Sequence, residues 1–128
     1  MIKIALVFGS LFGMLAVIFG AFGAHALKKT LTKGQLKSFE TGVKYQMYHA
    51  LVLLATGLGF TGDSALVNYA VYAFLLGTFL FSFSIYGLVL SDARGKRLRF
   101  LGPVTPLGGL LLVLGWFLLL LQVLDQTN

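Results

Sequence analysis

The sequence predicts an all-α integral membrane protein, a four-helix antiparallel bundle with an amphipathic lead-in to its second span. Three observations carry this. The 128 residues are 58% hydrophobic and only 11% charged, whereas a soluble domain carries about 25% charged residues. The apolar residues gather into runs near the roughly 20 needed to cross a bilayer. The basic residues lie beside those runs rather than within them. The whole chain, 1–128, reads as one transmembrane domain with spans at about 4–27, 43–60, 66–90 and 106–124, and an amphipathic segment at 33–43.

Span one, from Ile4 to Leu27, carries small residues at Gly9, Gly13, Ala16, Gly20 and Ala24. Steps of four and three place them on one helix face. In lipid, such a face lets backbones approach closely and gain dispersion contacts, so these five residues are the predicted packing face. Phe8, Phe12, Leu15, Phe19 and Phe22 form a bulky stripe beside it. A cleavable leader is the competing reading, because Ala24-His25-Ala26 has the shape of a cleavage site. The apolar run is too long for a leader's core, and Lys28 and Lys29 just beyond it oppose export.

Thr32 and Gln35 have capping-box spacing, which predicts a helix start near Lys33. Leu36, Phe39, Val43, Met47, Ala50 and Leu54 then make an apolar stripe, with Lys37, Glu40 and Lys44 on a polar face. Glu40 precedes Lys44 by four residues, the favourable order for a helical pair. The segment reads as a surface helix that continues, or bends at Gly42, into span two. Asp63 or Ser64 is a predicted cap for span three. Thr105 followed by Pro106 is a predicted cap and first-turn pair for span four.

Nine of the ten basic residues fall in two loops: Lys28, Lys29, Lys33, Lys37 and Lys44 in the first, Arg94, Lys96, Arg97 and Arg99 in the third. Lys3 alone lies at the other side. With four spans, the positive-inside rule places loops 28–42 and 91–105 in the cytoplasm of a multi-pass cell-membrane protein. The expected partners are the bilayer itself and anionic headgroups meeting residues 28–44 and 94–99. A protein partner or a second copy of the chain is a further expected contact. The net charge of +6 is not read as nucleic-acid binding, because its residues flank apolar spans. The chain has no cysteine, which excludes disulfides, thiolate metal sites and cysteine nucleophiles.

One polar layer stands out. His25 lies three residues before Lys28 and His49 five after Lys44, which predicts similar depths in consecutive helices. Tyr45 and Gln46 share the His49 face, Ser82, Ser84 and Tyr86 end span three, and Thr105 opens span four. Polar groups at membrane depth turn inward and pair. These eight residues therefore form either a hydrogen-bonded clasp or a site for a small molecule, lipid head or proton. A metal or bis-histidine haem site is a third reading, although two histidines are a poor metal set. No cofactor and no catalytic residue is predicted.

The segments "GAFGAHAL", "FETGVKYQMYHALVLL", "FSFSIY" and "GPVTPLGG", with the later Gly115-Trp116, resemble the YgdD/YwdK family across nearly the whole chain. That family comprises small bacterial membrane proteins with animal relatives, grouped as of unknown function. The resemblance implies several helical spans and no activity. Where the family often has Ser-Gly-Ser before Leu-Tyr, this chain has Ser82-Phe83-Ser84 before Ile85-Tyr86. The expected function is that of a non-enzymatic bundle meeting protein or lipid. A transporter or channel subunit with a polar site near His25 and His49 is the alternative. No acid is buried in a span and no inverted repeat is evident, which speaks against transport. An enzyme lacks a serine–base or histidine–carboxylate set.

Overall fold

The computed structural model describes residues 1–128 and is entirely helical, with no strands. Helix α1 runs Ile2–His25, followed by a short 3₁₀ turn at Leu27–Lys29. Helix α2 runs Lys33–Gly59. Helix α3 spans Ala65–Ala93 and is interrupted by a π-helical turn at Phe79–Phe83. Helix α4 runs Val104–Gln126.

The helix starts follow local chemistry. Thr32 Oγ1 accepts from the Gln35 amide at 3.2 Å, and Gln35 Oε1 accepts from the Thr32 amide at 3.0 Å, completing the predicted capping box. Ser64 caps α3 by accepting from the Val67 amide. Span four departs from expectation. Its helix begins at Val104, so Thr105 lies inside the first turn instead of capping it. Pro106 is still tolerated there, because first-turn amides have no partner within the helix. The predicted lead-in and second span are one unbroken helix. Gly42, expected as a bend, instead makes room for a ring: a Cβ there would lie 2.7 Å from Tyr86 Cε1.

Three helical segments are long and apolar enough to cross a membrane: Ile2–His25, Ala65–Ala93 and Arg99–Gln126. Helix α2, at 27 residues, has the length. Its lysines, Glu40, Gln46 and His49 keep it outside that set.

The packed interior has two parts. Ala5 and Phe12 of α1, Leu53 of α2, and Val71 and Phe74 of α3 cluster with Leu112 of α4. A second cluster joins Leu27, Leu31 and Phe39 to Tyr86 and Val89 near the basic loops. Helix α1 turns Ala5, Gly9, Phe12, Ala16 and Gly23 inward. Only part of the predicted small face is thus in close contact. Gly9 and Ala16 are buried, but a Cβ at Gly13 or Gly20 would find ordinary contacts at 3.8 and 3.5 Å. Ala24 is exposed. Gly23 takes over at that end, where an added Cβ would meet the Phe39 ring at 2.9 Å. Phe83 lies among Phe12, Phe19, Phe79 and Tyr86, with ring centroids 5.1 to 6.4 Å apart. A bulky ring therefore fills the place where the resembling family often has glycine.

Candidate functional site

The polar residues of α2 are held inward by partners on each neighbouring helix. Gln46, fully buried, donates from Nε2 to the Phe12 carbonyl of α1 at 2.9 Å. Its Oε1 accepts from Tyr86 Oη of α3 at 2.7 Å. One amide thus ties three helices together. Four residues earlier, Ser82 Oγ of α3 donates to the Gly42 carbonyl at 2.7 Å. Both side chains on α3 lie at or just past the π-helical turn. Such a turn shifts the faces that follow it, and π turns concentrate at functional positions.

His49, three residues further along α2, is buried on nearly the same face. Its Nδ1 lies 2.8 Å from the Tyr45 carbonyl, and Trp116 Nε1 donates to its Nε2 at 3.1 Å. The indole can only donate, so Nε2 accepts and the proton sits on Nδ1. This neutral imidazole has both nitrogens satisfied. It packs against Phe74 and Trp116 at 5.6 and 6.1 Å between ring centroids. Tyr45 is 41% exposed and rests on Phe81 at 4.9 Å. Ser84 donates to the Phe81 carbonyl at 2.9 Å or engages Thr105 Oγ1 at 2.6 Å, joining α3 to α4.

The structure therefore brings together Gln46 with Tyr86, and Ser84 with Thr105, and sets Tyr45 beside His49. It does not bring His25 to them. His25 is exposed at the end of α1. The reason is register. Gly13 of α1 faces Ala50, the neighbour of His49, so His25 lies twelve residues further along, about 18 Å away at helical rise. Lys44 does not mark the boundary, because α2 begins at Lys33. The proposed meeting of His25 and His49 is thus corrected. No group of three or more His, Asp or Glu side chains is placed to hold a metal.

Sequence reasoning missed three features. Trp116 stood only as part of a family motif, yet it is the partner of His49. Ser64 and the buried Gln122 are hydrogen-bonded at the opposite end. Thr78 is fully buried and its Oγ1 has no partner. Polar residues in an otherwise apolar α4 were the available signal for the first two.

His25→Gln is expected to leave thermal stability in detergent unchanged. Trp116→Phe should lower it by about 0.6 kcal/mol, the average for one interhelical hydrogen bond in a membrane protein. Equal losses from both variants would undo this assignment.

Comparison with known proteins decides the family. The family described as "Protein of unknown function (DUF423)" matches residues 19–109. The chain belongs to it. A UPF0382 membrane protein of Staphylococcus epidermidis is 39% identical over 122 residues, covering 95% of this chain and 96% of that one. A UPF0382 membrane protein of Staphylococcus haemolyticus is 39% identical over 120 residues, covering 94% of each. One from Staphylococcus aureus is 39% identical over 119 residues, covering 93% of each. No solved structure matches. With these relatives and its apolar helices, the chain is a membrane protein of a family whose function is unknown.

Proposed function

We propose that the chain is a non-enzymatic bundle of four antiparallel helices that crosses the cell membrane as one domain and presents a basic face to anionic lipid heads. One observation carries the reading. Eight of ten Lys and Arg residues belong to the segments joining α1 to α2 and α3 to α4, or to the first two turns of α2. Gln35 Nε2 donates to Asp92 Oδ2 at 3.0 Å, linking the start of α2 to the end of α3 beside those segments. The Ser64–Gln122 bond links the other ends of α3 and α4. Successive helices running in opposite directions fit both links.

A crossing by α2 fits its length, since 27 residues extend about 40 Å. Its Gln46 and His49, costly in lipid, are buried and bonded instead. The basic segments then lie in the cytoplasm and both termini outside. Each basic residue near an anionic surface adds about 1 kcal/mol of attraction. The resemblance to the YgdD/YwdK family is part of the same proposal. Transport is the weaker reading, because the His49 cluster has its nitrogens already paired.

Single cysteines test the orientation cleanly in this cysteine-free chain. Thr30→Cys should resist an impermeant reagent in intact cells, and Gly62→Cys should react. The reverse pattern would overturn the orientation. Replacing Lys28, Lys29, Lys33 and Lys37 by Gln should reduce enrichment of anionic lipid around the protein in mixed bilayers. Unchanged enrichment would leave these lysines as topology signals alone.

A further inference from the structure

We infer that the groove between α2 and α4, floored by α3, holds one phospholipid of the phosphatidylethanolamine type, with a phosphate and a primary ammonium in its head. The inference rests on the lipid-facing reading above and assigns it a defined site. The groove follows from spacing on three helices. Ser38, Thr41 and Tyr45 lie at steps of three and four along one face of α2, and Asp92, Leu88, Ile85 and Phe81 do the same on α3. Thr105, Gly109 and Trp116 line the facing side of α4.

At the basic end the groove widens into a cleft of about 590 Å³, lined by Gln35, Ser38, Thr41, Asp92, Arg97 and Thr105. That size lies within the range of small-molecule sites, roughly 300–1,000 Å³. The cleft is lined by two opposite charges, one carboxylate and one guanidinium. Asp92 and Arg97 also line an adjoining cleft of about 490 Å³, together with Arg99. Gln35 occupies Asp92 Oδ2 and leaves the carboxylate's other oxygen to an incoming donor. A guanidinium matches a phosphate, donating two parallel hydrogen bonds. A purely anionic head would set further negative charge against Asp92. A head with an ammonium beside its phosphate satisfies both residues.

Below the cleft the lining becomes apolar and suits an acyl chain. Tyr45 lies on Phe81, and Gly109 offers a stretch of α4 without a side chain beside the Phe81 ring, which an added Cβ would touch at 3.7 Å. Trp116 closes the path at mid-depth. It is half exposed and fixed by its bond to His49. The three helical turns between Thr105 and Trp116 give the chain a run of about 16 Å.

Trp116 is the one tryptophan of the chain, so its fluorescence reports on this groove alone. The purified full-length protein in detergent is titrated with phosphatidylethanolamine brominated in its acyl chains. Quenching should saturate near one lipid per chain. Arg97→Gln, an exposed position, should weaken the half-saturation point about fivefold, the equivalent of one basic contact. Asp92→Asn should remove the preference over brominated phosphatidylglycerol. Gly109→Phe should abolish the saturable phase, while Arg97→Gln keeps the test independent of whether that variant folds. Absence of a saturable phase in the wild type overturns the site, even if the four-lysine variant loses anionic lipid enrichment. Equal saturation by both lipids in the wild type overturns the ammonium assignment. Light scattering that shows a dimer shielding Trp116 from bromine would give the groove to a second copy and overturn the proposal.

Discussion

Gly108→Ala is expected to destabilise the protein in detergent by about 3 kcal/mol, at the upper end of overpacking costs, and Gly108→Leu to prevent folding. A Cβ at Gly108 would overlap the Phe81 nitrogen and lie 2.8 Å from its Cα and 2.9 Å from the Gly77 carbonyl oxygen. All three are backbone atoms, so no side chain can swing away to relieve the overlap. The contact is reciprocal, because a Cβ at Gly77 would meet the Leu112 nitrogen at 3.0 Å and the Gly108 oxygen at 3.1 Å. Phe81 sits in the π-helical turn, so this is where α3 departs from regular geometry as α4 crosses it. Gly109→Ala is the matched control. Its nearest neighbour would be the Phe81 ring at 3.7 Å, an ordinary contact. There the gain in helix propensity, about 1 kcal/mol for Gly to Ala, is free to act. Chemical unfolding of the two alanine variants should separate them in opposite directions from the wild type. Coincident midpoints would remove close backbone approach as the reason for Gly108.

The helices were largely readable because their signals are local. The Thr32–Gln35 box and the Ser64 cap involve residues three apart. The polar layer was half readable for a related reason. Gln46 and Tyr86 stood out because an amide or phenol amid hydrocarbon must find a partner. Which partner depends on register between helices, and the chain carries no local mark of that. Depths measured from Lys28 and Lys44 treated both as boundaries, although α2 reaches eleven residues before Lys44. His25 was misplaced by that step alone. The small stripe of α1 held only in part, with Gly9 and Ala16 buried. Spacing says which residues share a face, but Phe12 and Gly23, not Gly13 and Ala24, are the ones buried against neighbours. The glycines under closest approach lie in α2, α3 and α4, where a single glycine opposite a ring or a backbone leaves no periodic trace.

Gln46→Leu is expected to cost about 2 kcal/mol, more than its two hydrogen bonds alone, because it leaves a buried donor unpaired. Interhelical hydrogen bonds in membrane proteins average about 0.6 kcal/mol and reach about 1.7. The excess comes from Tyr86, whose hydroxyl loses its acceptor while buried to 7% exposure. The Phe12 carbonyl suffers less, since a carbonyl in the middle of α1 already accepts within its own helix. This difference between the two partners gives a specific expectation. Tyr86→Phe alone removes a donor and leaves Gln46 Oε1 bare. Tyr86→Phe in the Gln46→Leu background removes the orphan and should recover about 1 kcal/mol. The double variant should therefore be more stable than Gln46→Leu alone, although it carries one more substitution. Ser82 and Gly42 must stay unchanged in this comparison, because their own bond lies one turn away. Strictly additive losses in the double variant would mean that Gln46 and Tyr86 act independently, and the three-helix tie through Gln46 would not exist.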